Sequence, residues 1–188
     1  KRNRRGITLL FLLKKEIKTA LILEGGTMRG IYTVGVLDTL LENNIPVDCV
    51  VGVSSGAIHG CSYVSEQYER SIRYYKSCRK DYRFMSFKSF LKTGNVVDTD
   101  YCYYEIPNKL SPFDHEAFEK SKTKFYATVT NLETGKAEYI NLKTLRGNKM
   151  DYLRASASMP VVSQIVEIDG NKYLDGATAT AGYARTQN

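Results

Sequence analysis

Histidine is scarce in this chain: His59 and His115 are the only two among 188 residues. So small a number argues against a metal centre built on several imidazoles, and no metal or other cofactor is expected. Cysteine is equally sparing. Cys49, Cys61, Cys78 and Cys102 form no Cys-x-x-Cys pair and stand at no ligand spacing from a histidine. A disulfide framework is therefore not expected, and a reducing cytoplasm is the compartment this usage suits. Cys49, inside an apolar run, reads as a small core hydrophobe. An apolar run long enough to span a bilayer is also missing from the N-terminus. Lys1-Arg-Asn-Arg-Arg5 followed by Ile7-Thr-Leu-Leu-Phe-Leu-Leu13 looks like the opening of a signal peptide. That run ends in Lys14-Lys15-Glu16 with no small-residue cleavage site, and it is far too short to cross a membrane. Residues 1–17 are expected to be a basic leader or extension, residues 18–178 the functional domain and residues 179–188 a tail. No internal repeat or low-complexity linker divides the chain, which is long enough to bury a sizeable core as one domain.

Acidic residues are outnumbered, 20 against 27 Lys and Arg, for a formal charge of +7. The surplus is clustered at the N-terminus and again in Arg70, Arg73, Lys76, Arg79, Lys80 and Arg83, along and just beyond a helical candidate from Gln67 to Tyr82. Such a run is either a solvated face or a surface for anions, meaning lipid headgroups or nucleic acid. No nucleic-acid-binding motif accompanies it, so nucleic acid is not an expected partner. Peripheral contact with an anionic membrane is the alternative to the solvated face.

What is present is a run of alternating elements. Thr19-Ala-Leu-Ile-Leu-Glu24 reads as a buried strand entering a tight loop at Gly25-Gly26. Ile31, Val34, Leu37, Leu40 and Leu41 form a helical stripe closed by Asn43-Asn44 and Pro46. Val47 to Val53 is a second apolar strand, and a second helix starts near Ala57. The βαβα pattern implies α/β architecture around a parallel sheet. Residues 84–123 carry no clear pattern. Phe125 to Thr130 and Ala137 to Leu142, joined through Glu133-Thr-Gly135, read as a β-hairpin. Leu153 to Met159 reads as a short helix. Val161 to Ile168 and Lys172 to Leu174 read as strands.

Gly52-Val-Ser-Ser-Gly56 places Ser54 at the centre of a G-x-S-x-G pattern, between an apolar strand and a helix. Such a turn holds the serine in a strained conformation at a helix N-terminus, where free N–H groups favour developing negative charge. The bland alternative is a tight structural turn. An attacking serine generates an oxyanion that needs preorganised donors. Gly25-Gly-Thr-Met-Arg-Gly30, at the same end of the sheet, offers backbone amides that a substrate can approach closely. The competing reading is a nucleotide loop, but Thr27 interrupts G-x-G-x-x-G and Asp48 opens its strand rather than closing it. For a base, His59 lies five residues beyond Ser54 and points away by helical geometry, and His115 sits in an acidic loop. Asp175, at a strand end in Tyr173-Leu-Asp-Gly-Ala177, is the better candidate, with a plain Asp-Gly turn as its alternative.

Taken in order, the Gly25–Gly30 loop with Arg29, the Gly52–Gly56 elbow, Arg154-Ala-Ser-Ala-Ser-Met-Pro160 and Asp175-Gly176-Ala177 resemble the patatin-like phospholipase family. The resemblance covers about residues 18–178 and is closest in flavour to bacterial patatin-like esterases. It implies a three-layer α/β/α fold with a mostly parallel central sheet. It also implies acyl-ester hydrolysis, without metal, by a Ser-Asp dyad and an acyl-enzyme. Ser54 would be the nucleophile and Asp175 the base. The amides of Gly25, Gly26 and Thr27 would form the oxyanion hole, and Arg29 would steady that loop. Gly30, Gly52, Gly56 and Gly176 would support the two turns. Phospholipids, lysophospholipids or simple acyl esters would be the substrates. Two departures stand out. Thr27 replaces the family's usual third glycine, which narrows the pocket. Only eleven residues follow Ala177 where a sizeable further segment is usual, so a poorly active form is expected. The other reading is a lipid- or acyl-binding module that keeps the fold without turnover.

Overall fold

The computed structural model describes residues 19–179. The expected leader lies outside them, as does the tail beyond Ala179. The chain forms a mixed α/β structure. Strands β1 (Ala20–Leu23), β2 (Cys49–Val53) and β3 (Lys124–Asn131) run parallel, in that order from one side of the sheet. β4 (Ala137–Asn141) returns antiparallel on β3, as the hairpin pattern predicts. β5 (Val166–Ile168) and β6 (Asn171–Asp175) form a second hairpin, and β6 joins β3 antiparallel. The strand expected from Val161 is shorter than its alternation suggested, because residues 161–165 run irregularly into β5.

Helices α1 (Gly30–Glu42), α2 (Ser55–Val64), α3 (Arg70–Cys78), α4 (Phe87–Thr93), α5 (His115–Lys120) and α6 (Lys149–Ser156) accompany the sheet. Burial explains the main layer. Leu23, Val50, Phe125, Ala127 and Val129 project from one sheet face and are almost fully covered, packing with Ala57, Cys61 and Val64 of α2 and Tyr152 and Ala155 of α6. At roughly 25 cal/mol per Å2 of apolar surface removed from water, burial of this contiguous cluster strongly favours folding. On the opposite face Ile22 and Tyr139 stay exposed. Thr128 and Thr130 there are covered by the chain leaving β6, with the Ala179 amide donating to Thr130 Oγ1 at 3.1 Å.

The stretch without clear sequence pattern folds around aromatic rings. It contains α4, a wide helix over Asp100–Leu110 with i→i+5 bonding, and α5. Tyr74, Tyr75, Phe84, Tyr101 and Ile106 make a second buried cluster between α3 and this segment. The basic run at α3 is not one face. Arg70 is buried and Arg83 is held by Asp81 and Glu105 at 2.8 and 2.9 Å, leaving Arg73, Lys76, Arg79 and Lys80 exposed.

His59 is a core residue of α2, 1% exposed. Its Nδ1 lies 3.2 Å from both Ser71 Oγ and Tyr74 OH. Arg70 neighbours it, donating to Ser62 Oγ at 3.0 Å and to the Ser111 carbonyl at 2.8 Å. Burial, reinforced by the Arg70 charge, lowers the His59 pKa from 6.5 to about 4. The unfolded chain therefore binds a proton more readily between those values. Stability associated with His59 is complete above pH 6.5 and is lost as pH falls toward 4, a loss on the order of 3 kcal/mol. Urea unfolding of wild type and His59→Gln at pH 7 and pH 4.5 checks this. The wild type is expected to lose more stability than the variant on acidification; equal losses would remove His59 as the cause.

Candidate active site

β2 ends at Val53 and α2 begins at Ser55, so the whole reversal falls on Ser54. Its backbone sits at φ 55° and ψ −127°, a region that costs a non-glycine residue about 1–3 kcal/mol. The flanking glycines are explained by close approach. A Cβ on Gly52 would stand 2.5 Å from Ala57 Cα, and one on Gly56 would stand 2.3 Å from the Leu23 carbonyl oxygen. The turn is pressed against its own helix on one side and against the end of β1 on the other. The Ser54 carbonyl accepts from the Ala57 and Ile58 amides, opening α2 directly behind the side chain. Ser54 is 5% exposed.

Asp175 reaches the same place from the opposite direction. β2 pairs along one edge of β3 until Val53 faces Thr128. β6 runs antiparallel along that edge until Asp175 faces Val129. The C-terminal ends of β2 and β6 therefore meet head to head at adjacent rungs of β3. The Asp175 Oδ1 accepts from the Ala177 amide at 2.9 Å, and its carbonyl accepts from Thr130 Oγ1 at 2.8 Å. Gly176 permits the exit, since a Cβ there would stand 2.4 Å from the Thr128 carbonyl oxygen. Burial raises the Asp175 pKa above the ordinary carboxylate value; the Ala177 amide and the nearby Ser54 hydroxyl act in the other direction. Among the described residues no well-formed Ser54–Asp175 hydrogen bond is present, although the hydroxyl is near enough to affect the carboxyl. Such contacts commonly tighten only with substrate bound.

The Gly-rich loop lies over this junction. A Cβ on Gly25 would come within 2.8 Å of Ser54 Cβ. Gly26 precedes a single tight helical turn, Thr27–Arg29, closed by the Arg29 amide on the Gly26 carbonyl at 2.9 Å. Thr27 has φ 46°. A β-branched residue is strained in that region, whereas glycine is not. The Arg29 side chain passes beside Gly26 but is exposed. Gly30 opens α1 against Ser55 and His59. His115 is exposed and stacks edge-on against Phe113. Neither histidine pairs with Ser54 among the described residues.

One position escaped the sequence reading. Ser156, fully buried at the end of α6, accepts from the Ser54 amide at 3.0 Å. Two residues later the Ser158 carbonyl accepts from the Asp175 amide at 2.8 Å. The Arg154–Pro160 segment thus holds both strand ends. From Ser54 a cavity of about 540 Å3 extends between Ile58, Tyr74, Phe84, Ile106, Phe118 and Met159, and its lining is mainly apolar. The wide helix Asp100–Leu110 forms part of that wall, contributing Tyr103 and Ile106. Among the described residues no group of three or more His, Cys, Asp or Glu is placed to hold a metal ion.

A family model described as patatin-like phospholipase matches residues 21–182. Among curated proteins, the chain is 29% identical over 171 residues to the uncharacterized protein YjjU of Escherichia coli, covering 87% of this chain and 46% of YjjU. It is 29% identical over 163 residues to lysophospholipase nte1 of Emericella nidulans and 26% identical to that of Aspergillus oryzae. Each of these two matches covers 83% of this chain and 10% of the lysophospholipase. The chain therefore spans about half of one such relative and a tenth of the others.

Two substitutions probe the strain and burial found here. A carboxyl with a raised folded-state pKa contributes stability at low pH that is lost as pH rises through that pKa. Asp175→Asn is accordingly expected to raise the thermal midpoint at pH 8, with a gain that shrinks toward pH 4; a lowered midpoint at pH 8 would contradict the burial argument. Thr27→Gly relieves a left-handed strain of about 1–2 kcal/mol against an entropy cost of roughly 0.5–1 kcal/mol. Its midpoint should equal or exceed that of wild type, and a clear drop would show that Thr27 packing outweighs its backbone strain.

Proposed function

The chain belongs to the patatin-like phospholipase family, and on that premise we propose that it hydrolyses carboxylic esters of acyl lipids with Ser54 as nucleophile and Asp175 as base. The observation that carries the reading is the meeting of the β2 and β6 ends on adjacent rungs of β3, which brings a strained serine beside a buried carboxyl. Asp175 accepts the hydroxyl proton as Ser54 Oγ bonds to the ester carbonyl carbon. The carbonyl oxygen becomes the oxyanion, facing the amides of Gly25, Gly26 and Thr27 and the N-terminus of α2. The ester C–O bond then breaks, Asp175 returns the proton to the departing alcohol, and the acyl group remains on Ser54. Water, losing its proton to Asp175, attacks the acyl carbon, and the Ser54 oxygen leaves and recovers that proton.

The raised pKa of Asp175 suits a group that must give its proton back, because it moves the carboxyl toward the operating pH. Ser156 and Ser158 act as positioning residues, fixing the amides of the two reacting residues. The apolar cavity beyond Ser54 suits the acyl chain, its volume falling within the roughly 300–1,000 Å3 of small-molecule sites. Relatives named as lysophospholipases favour a single-chain phospholipid as substrate.

The test is hydrolysis of p-nitrophenyl butyrate by the 188-residue chain beside Ser54→Ala and Asp175→Asn. Each variant is expected to lose about a thousandfold or more in kcat, in line with other removed nucleophiles and bases, while remaining folded by circular dichroism. Full activity in Ser54→Ala would discard the mechanism. A folded wild type that neither turns over nor takes a fluorophosphonate label would leave the acyl-binding reading in its place.

A further inference from the structure

The segment Tyr82–Thr93 has a surface that nothing in the proposed chemistry uses. Ser86 caps α4 by accepting from the Ser89 amide at 3.0 Å, and Gly94 closes it in the left-handed conformation. Ser89 is fully buried and donates to the Asn95 carbonyl at 2.9 Å. The base of the segment is closed by the Ser86 amide on the Val96 carbonyl at 3.0 Å. On the outer side Phe87 and Leu91, one helical turn apart, are each 71% exposed. Lys88 and Lys92 form a second exposed row alongside them and lie over the Tyr82 ring at 4.4 and 5.1 Å. Arg79 and Lys80, just before Tyr82, are exposed as well.

We propose that α4 seats this chain on an anionic lipid surface, with Phe87 and Leu91 entering the headgroup layer and Lys88 and Lys92 meeting lipid phosphates. Two large apolar side chains set outward on one stripe leave apolar surface in water that an acyl-headgroup boundary would cover. An apolar stripe bordered by lysines is the pattern of helices that lie in a membrane interface. Lysine stems run along apolar surface while their ammonium groups stay at phosphate level, and tyrosine suits the same boundary. Charge complementarity points to lipid rather than an apolar protein partner, since Lys88 and Lys92 border the stripe, Arg79 and Lys80 are exposed in the segment before it, and the chain carries +7 overall.

Position adds a second argument. Phe84 and Met85 before α4, and Val97 after it, line the cavity that begins at Ser54. A lipid surface at Phe87 and Leu91 therefore lies next to the apolar space that suits an acyl chain. The segment is also braced for such a role. The Val96 amide donates to the Val162 carbonyl at 2.9 Å, and the Gln164 amide donates to Asn95 Oδ1 at 2.7 Å. The bracing segment itself exposes Val161 and Ile165, at 89% and 52%. The purpose given to this surface rests on the lipid-hydrolase reading; its geometry does not.

The chain has no tryptophan, so Leu91→Trp gives a reporter that reads α4 alone. With vesicles of three parts phosphatidylcholine to one part phosphatidylglycerol at low salt, its emission is expected to shift to the blue. Co-sedimentation of wild type with the same vesicles should weaken by about tenfold or more in Lys88→Glu/Lys92→Glu, and salt should weaken it too. Phe87→Ser/Leu91→Ser should weaken it similarly while leaving hydrolysis of soluble p-nitrophenyl butyrate unchanged. An unshifted Leu91→Trp, or equal binding to pure phosphatidylcholine vesicles, would overturn the proposal. So would a lipid-free dimer that dissociates only in Phe87→Ser/Leu91→Ser, since a second copy would then be the occupant. A chain that binds but hydrolyses no ester would sink the hydrolase reading and leave this surface standing. One that hydrolyses soluble ester yet never binds would overturn the surface alone.

Discussion

The site depends on one edge of β3. Two strands share that edge from opposite directions, β2 parallel and β6 antiparallel, and each ends where the other does. Backbone hydrogen bonding fixes strand ends to a fraction of an ångström in a way that mobile loops do not. Ser54 and Asp175 therefore inherit their spacing from the ladder. The Arg154–Pro160 segment reinforces it, since Ser156 holds the Ser54 amide and Ser158 holds the Asp175 amide. A backbone shift at Thr128 or Val129 of β3 would act on both residues at once.

Part of the chain's local strain falls where that geometry is used. Ser54 and Thr27 both occupy positive φ, and Asp175 is a carboxyl buried without a cationic partner among the described residues. Each is unfavourable by itself and persists only because the packed core around it contributes more. The core cluster of Leu23, Val50, Phe125 and Val129 lies directly beneath these turns. Close approach of Gly52 to Ala57, and of Gly56 to the β1 end, transmits that packing to the elbow. Removing strain at such a position tends to raise stability and lower activity together.

The segment between α3 and β3 does a different job. It buries mainly tyrosines and phenylalanines, with Ile106 among them, closes one wall of the cavity with a wide helix, and turns α4 outward. Wide helical turns are uncommon and recur at functional sites because they displace a wall from its regular position. Here that wall bounds the space beyond Ser54. One wall of the cavity and the exposed stripe thus belong to the same segment between β2 and β3. Among the described residues no helix is long and apolar enough to cross a membrane, so contact with lipid through α4 would be made from the surface.

Much of the fold was legible in residues 19–64 and 124–142, where apolar runs, glycine turns and helical stripes repeat at regular periods. The elbow was legible too, because Gly52, Ser54 and Gly56 are local and their spacing states the turn. The aromatic segment was not, since tyrosine packs with its hydroxyl toward polar partners and leaves no simple alternation. The basic run at α3 misled by looking continuous, because a sequence does not say that Arg70 turns inward or that Arg83 meets Asp81 and Glu105. By itself the sequence determined an α/β chain with a serine turn, a glycine loop and a late strand-end aspartate, all local patterns set by neighbours within a few residues. That Asp175 arrives opposite Ser54, that Ser156 holds the elbow and that Phe87 and Leu91 face outward follows from long-range packing. Those facts depend on pairing between strands and helices far apart in the chain, and no local spacing encodes them.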